Sequence, residues 1–118
     1  MQIRTKRAYE APEPADGRRV LVDRLWPRGL KKTDAHLDAW HKEVAPSPEL
    51  RKWFGHDPAR WEEFKRRYLR ELEANDAVDA LLDEADGQTL TLIFSTRDEL
   101  HNSAVVLKEH LEERGRRR

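Results

Sequence analysis

Four cations, a Trp, a Pro and a Gly crowd into ten residues, Asp23-Arg24-Leu25-Trp26-Pro27-Arg28-Gly29-Leu30-Lys31-Lys32. Arg offers a planar fork of donors that matches phosphate or carboxylate, and Lys adds a point charge. A Trp beside them offers a face for a base or a guanidinium plane. Pro27 and Gly29 fix the turn, so the cations need little ordering when an anion arrives. The competing structural reading puts Trp26 in the core and leaves the cations as a solvated, locally ion-paired turn.

Two other stretches carry chemistry-bearing residues. In Ser95-Thr96-Arg97-Asp98, Asp98 is a candidate general base, a helix N-cap, or an ion partner for Arg24 or Arg28. Asn102 follows four residues later, where it can share a helical face with Asp98 and orient a ligand, or simply hold a loop. His56-Asp57 follows Trp53-Phe54-Gly55, and a His beside a carboxylate titrates near neutrality. Asp57 has an equally good use as a helix cap, so the pair is no dyad by sequence alone. Arg51 lies on the preceding helix and can point to the same region. The candidate set is therefore His56 and Asp98 for acid–base work, with Arg24, Trp26, Arg28, Arg51 and Asn102 for ligand binding.

A metal site is not expected. His36 and His41 are five residues apart, which does not align two imidazoles on a helix, and no compact carboxylate cluster joins either. With no cysteines there are no disulfides and no thiolate ligands. No glycine-rich phosphate loop or nucleophile elbow occurs, and no cofactor is called for.

The elements that must position these residues can be read from periodicity. Met1–Tyr9 alternates weakly and fits a first strand near a sheet edge. Ala11–Gly17 is a turn-rich connector. Arg18–Leu25, around Val20-Leu21-Val22, reads as a buried strand ended by Pro27 and Gly29. A helix is expected over Asp34–Val44, where Leu37, Trp40, His41 and Val44 fall at helical spacing. Ser47 caps a second helix with Pro48 at its first position. Asp57-Pro58 starts a third, running to about Asn75, with Trp61, Phe64, Tyr68 and Leu72 on one stripe. Asp76 can cap a fourth, closed by Gly87. Thr89–Ser95 is apolar on both faces, as a central parallel strand should be. A last helix spans about Glu99–Arg114 and stops at Gly115, leaving Arg116–Arg118 as a frayed basic tail.

Strands separated by helical crossovers give a single α/β domain over residues 1–118: a small, mainly parallel sheet of about three strands flanked by about five helices. Ligands of such sheets bind beyond the carboxyl ends of the strands. Asp23–Lys32 and Ser95–Asn102 both lie there if the strands are parallel.

Composition narrows the function classes. Hydrophobic residues make up 37% of the 118 and charged residues 39%, yet the net charge is +0. Neutrality argues against a general nucleic-acid binder, which is strongly basic overall. No apolar run opens the chain, so neither a signal peptide nor a membrane partner is expected and a cytoplasmic location follows. Nothing in the composition sets the oligomeric state.

Three blocks carry a resemblance: Val20-Leu21-Val22-Asp23-Arg24-Leu25-Trp26-Pro27-Arg28-Gly29, Ala45-Pro46-Ser47-Pro48-Glu49-Leu50-Arg51-Lys52-Trp53-Phe54-Gly55-His56-Asp57, and Thr91–Asp98 with Asn102, Ala104, Val106 and Leu107. The chain resembles the YeaO-like proteins, a bacterial and archaeal family described as a domain of unknown function (number 488). The resemblance implies a compact α/β domain and supplies no activity, substrate or cofactor. Its motif residues matched here include Arg24, Trp26, Arg28, Trp40, Arg51, Trp53, His56, Tyr68, Asp98 and Asn102. This chain departs from the family pattern at Phe94, where a Tyr is usual, and at Ser103, where a His often follows Asn102.

The functional expectation is an anion-binding site for a nucleotide or phosphorylated small molecule at the carboxyl edge of the strands, with catalysis there left open. The alternative is a nucleic-acid or protein interaction module using the basic loop Asp23–Lys32 and the Arg116–Arg118 tail. Either reading requires the loop, Arg51–His56 and Asp98–Asn102 to converge.

Overall fold

A computed structural model describes residues 1–117. Four parallel strands form one sheet in the order β1-β4-β2-β3: β1 Ile3–Arg7, β2 Arg18–Leu21, β3 Ala39–Trp40 and β4 Leu90–Phe94. β4 lies between β1 and β2, and all five of its residues are buried. That is why Leu90–Phe94 is apolar throughout rather than alternating. β1, at the edge, does not alternate: it buries Ile3 against the main core and Lys6 against Asp16 on the other face, with Arg4, Thr5 and Arg7 half-buried.

The five helices are α1 Lys32–Ala35, α2 Pro48–Phe54, α3 Trp61–Glu73, α4 Ala77–Ala85 and α5 Ser103–Arg117. One sheet face, through Ile3, Val20, Leu90, Leu92 and Phe94, joins Phe64, Tyr68, Leu72, Leu81, Val106 and Leu107 in the main core. The opposite face is thinner. Ala8, Leu21 and Ile93 are covered there by Trp26, Leu30, Leu37 and Trp40. Beside them sits a buried charge network, in which Asp16 accepts from Lys6 Nζ at 3.0 Å and Arg19 Nη1 at 2.6 Å. The Asp23–Lys32 loop thus helps to roof this face of the sheet through Trp26 and Leu30.

The helix expected over Asp34–Val44 does not form. A single helical turn, α1, stops at His36, whose φ of 48° is left-handed. The Arg19 guanidinium takes the carbonyls of Ala35 and His36 that a longer helix would use. The chain then adds the fourth strand along β2: Asp38 N–H donates to Arg19 O, and the Asp38 carboxylate accepts from Arg19 N–H. The free edge of β2 outweighs the helical spacing of Leu37, Trp40 and Val44, and a further 3-10 turn covers Lys42–Val44.

Three helix ends also differ from expectation. Ala77 N–H bonds the side chain of Asn75, not of Asp76. α5 starts at Ser103 because Asp98 and Asn102 close turns ahead of it. It also passes through Gly115 to Arg117, so the expected frayed tail is helical as far as described. Arg116 and Arg117 both pair with Glu113. Arg118 lies outside the described residues.

Candidate functional site

The three segments converge. At the carboxyl edge of β2 and β4, a cleft of about 700 Å³ is lined by Asp23, Arg24, Leu25, Trp26, Arg28, Arg51, Lys52, His56, Ser95, Thr96, His101 and Asn102, with Phe54 and Phe64 at its base. The volume suits a small molecule. A depression at the opposite edge, lined by Glu13, Arg19, His36 and Asp38, offers no spare cation, since Arg19 is committed to Asp16 and the end of α1.

Local structure fixes the turn. Asp23 follows the last buried residue of the β2 run, and Leu30 N–H closes on Pro27 O at 3.2 Å. Gly29, third in that turn, has φ 78°, which a type II turn demands and a side chain resists. Trp26 donates its indole N–H to Leu30 O at 2.7 Å and packs edge-on to Trp40 at 5.5 Å. Trp40 in turn donates to Asp23 O at 2.7 Å. Trp26 therefore braces the turn while one side of its ring borders the cleft.

Arg24 lies over the segment before α2. Its Nη2 reaches Ala45 O at 3.4 Å and Pro46 O at 3.3 Å, both long contacts, and its buried Nε has no acceptor among the described residues. That segment is held from behind. The Tyr68 hydroxyl donates to Val44 O, and Ser47 donates N–H and hydroxyl to Glu71 at 2.8 and 2.7 Å. Ser47 also caps α2 by accepting from Leu50 N–H.

α2 delivers Arg51 and Lys52 to the cleft and ends at Gly55 with φ 53°. His56 continues in the left-handed region at φ 56°, unusual for a residue with a Cβ, and this second reversal aims the ring back towards the cleft. Asp57 caps the next turn through Ala59 N–H, so it is unavailable to His56 as a partner.

Asp98 does not line the cleft. Its carboxylate accepts from the N–H groups of Leu100 and His101 at 3.0 and 2.9 Å, and its other oxygen meets His101 Nδ1 at 3.1 Å. The His101 N–H leads the bonds that hold this carboxyl below the usual range, so it is a poor proton acceptor. Asp98 pairs with neither Arg24 nor Arg28, and it does not cap α5 directly. Asn102 does so, accepting from Val105 N–H at 3.1 Å and donating to Asp98 O at 2.8 Å. Asn102 borders the cleft with its amide in use on both sides.

Asp23, Lys52 and His101 complete the cleft, though their types and spacing in the chain did not single them out. Asp23 is the only carboxylate among the lining residues. One of its oxygens, Oδ2, accepts from both Ser95 N–H at 2.9 Å and Ser95 Oγ at 2.8 Å. Burial pushes its carboxyl above the ordinary range, against the pull of Ser95, Arg51 and His56. His101 is wedged between Asp98 and the Trp61 ring at 5.3 Å. A sequence signal existed for each: Asp23 is the first polar residue past a buried strand, Lys52 adjoins Arg51, and His101 follows Asp98 by three.

Among the described residues, no cluster of three or more His, Cys, Asp or Glu is placed to hold a metal. No described helix is long and apolar enough to cross a membrane.

A small parallel α/β sheet with a cation-lined cleft at its carboxyl edge is the class of protein that this geometry defines. Comparison of the sequence supplies the family. Residues 2–118 match the model described as the inactive DUF488-N3 subclade, and the chain belongs to this group of YeaO-like proteins. It is 46% identical over 112 residues to the uncharacterized protein YeaO of Escherichia coli K12, covering 94% of this chain and 97% of that one. It is 42% identical over 110 residues to the uncharacterized protein Rv3073c of Mycobacterium tuberculosis H37Rv, covering 93% of each. No solved structure matches the chain.

Proposed function

We propose that this protein binds a phosphorylated small molecule in the Asp23–Arg51 cleft and does not turn it over. One observation carries the reading. In a chain of net charge +0, four Arg and Lys side chains line the cleft against one carboxylate. Arg28, Arg51 and Lys52 make no ion pair among the described residues. Elsewhere the surface cations are often matched: Arg66 and Arg67 pair with Glu63, and Arg114 with Asp79. Unmatched guanidinium groups around a concave, partly apolar site favour a phosphate, which accepts their paired donors.

Binding without turnover is the better form of the idea. Of the two acid–base candidates, Asp98 is tied to backbone N–H groups and sits off the cleft, which leaves His56 there without a carboxylate partner among the described residues, and the family's own description is of an inactive subclade. The test is a thermal-shift series with inorganic phosphate, sugar phosphates and nucleoside monophosphates on the wild type and on Arg28→Ala and Arg51→Ala. Stabilisation of the wild type by a phosphorylated compound, lost in both variants, supports the reading. No shift with any of them removes it. A short single-stranded RNA in the same series tests the nucleic-acid alternative: salt-sensitive binding that depends on Lys31 and Lys32, which lie outside the cleft, would favour that one.

A further inference from the structure

Asp23 is an odd residue to find among cations meant for an anion. A carboxylate repels the phosphate that Arg28, Arg51 and Lys52 attract. Its structural work needs only one oxygen, since Oδ2 alone takes both bonds from Ser95. An Asn amide oxygen could accept the same two bonds without a charge. The second oxygen, Oδ1, has no hydrogen-bond partner among the described residues. Nor does it form an ion pair: Arg51 and His56 act on Asp23 only through space. Burial meanwhile makes the charge costly to hold, so the residue is kept in a form that folding alone does not require.

Resting on the phosphate reading above, we propose that the ligand is two-ended: an anionic group held by Arg28, Arg51 and Lys52, and an amine that donates to Asp23 Oδ1. The ligand class is thus an amino-bearing phosphate, such as an amino sugar phosphate or an amino-alcohol phosphate. The amine supplies the direct partner that the second oxygen of this half-buried carboxylate lacks, and the phosphate supplies the counter-charge that the rim cations lack. Neither half satisfies the cleft alone. The same carboxylate rejects compounds with a second acidic group, which gives the site discrimination as well as affinity.

Two matched pairs of probes test this by calorimetry at neutral pH: glucosamine 6-phosphate against glucose 6-phosphate, and O-phosphoethanolamine against 2-hydroxyethyl phosphate. Within each pair the amine is replaced by a hydroxyl. The wild type is expected to prefer the amine in at least one pair by about tenfold, the scale of one charge-assisted hydrogen bond. Asp23→Asn, which keeps the Ser95 bonds, should bring that preference close to unity while still binding the hydroxyl compound. Binding of hydroxyl and amine members alike, or a preference that survives Asp23→Asn, overturns the two-ended ligand and leaves the phosphate reading standing. No binding of any of the four overturns the two-ended ligand, and the phosphate reading falls with it only if the wider thermal-shift series of inorganic phosphate, sugar phosphates and nucleoside monophosphates is also silent.

Discussion

Asp23 and Ser95 tie together the carboxyl ends of β2 and β4, with one carboxylate oxygen accepting both the N–H and the hydroxyl of Ser95. The bond aligns the two loops that form the cleft, yet the carboxylate is held above its ordinary range by burial. The sign of its effect on stability follows. A carboxyl whose folded pKa is raised binds its proton more tightly when folded, so this group's contribution falls as pH rises from about 4 through the raised value. Asp23→Asn is therefore expected to be at least as stable as the wild type at pH 7 and to lose that advantage at pH 4. Urea denaturation midpoints at the two pH values measure it. A variant clearly less stable than the wild type at pH 7 would show that the charge itself supports the fold.

Asp16 behaves in the opposite way. It is 0% exposed at the amino edge of the sheet. Burial opposes its ionisation, but Glu13 N–H, Lys6 and Arg19 together overcome that and hold its carboxyl below the usual range. Its contribution is therefore complete above about pH 4 and is lost as pH falls through the depressed value. Removing the charge leaves buried Arg19 with carbonyl acceptors alone and buried Lys6 with only the exposed Glu13 as counter-charge. Asp16→Asn should cost about 3–5 kcal/mol at neutral pH and flatten the acid limb of the stability profile. Urea titrations of wild type and variant from pH 7 to pH 2.5 decide it, and an unchanged acid limb counts against the assignment.

The parts of the fold set by local pattern were readable from the chain. β4 is apolar on both faces because it is covered on both, and Ser47-Pro48 is a start signal whose side chain does cap α2. The parts set by distant partners were not. The Leu37–Val44 spacing is helical, but Arg19, nearly twenty residues earlier, takes the helix's carbonyls and β2 offers an edge. The cleft divides the same way. Arg24, Arg28, Arg51 and His56 were legible because unusual residues sit beside turn signals. Asp23 was not, because its importance lies in burial and in a bond to a residue seventy-two positions away. Asp98 looked catalytic for its type and place, and only geometry shows its oxygens committed to the turn that carries His101.

Tyr68 joins the core to the cleft. It is fully buried on α3, burial drives its hydroxyl far above the ordinary tyrosine range, and it donates to Val44 O just ahead of the carbonyls that hold Arg24. Tyr68→Phe leaves Val44 O without its buried donor and should cost about 1–2 kcal/mol. The ring still fills its place against Phe64, so the fold should persist. The consequence for binding is indirect: the Ala45-Pro46 segment loosens, and affinity for the phosphorylated probes falls less than for any rim arginine variant. Guanidinium chloride melts together with calorimetry on the same variant separate the two effects.

The rim cations give the most direct test, because they are exposed and free of structural duty. Arg51→Ala and Arg28→Ala each remove a guanidinium that pairs with no acid among the described residues, so both variants should melt within a degree or two of the wild type, as exposed substitutions do. Each should weaken a phosphorylated probe by roughly tenfold to a hundredfold, the worth of a charge-assisted hydrogen bond. Arg66→Ala serves as the control. Arg66 is equally exposed but pairs with Glu63 on α3, away from the cleft. It should leave binding untouched, and any loss of affinity matching that of Arg51→Ala would mean the anion responds to overall charge rather than to this site. Raising the salt concentration distinguishes the two cases again, since a diffuse attraction is screened within about 10 Å at 0.1 M while paired donors in a concave site hold on.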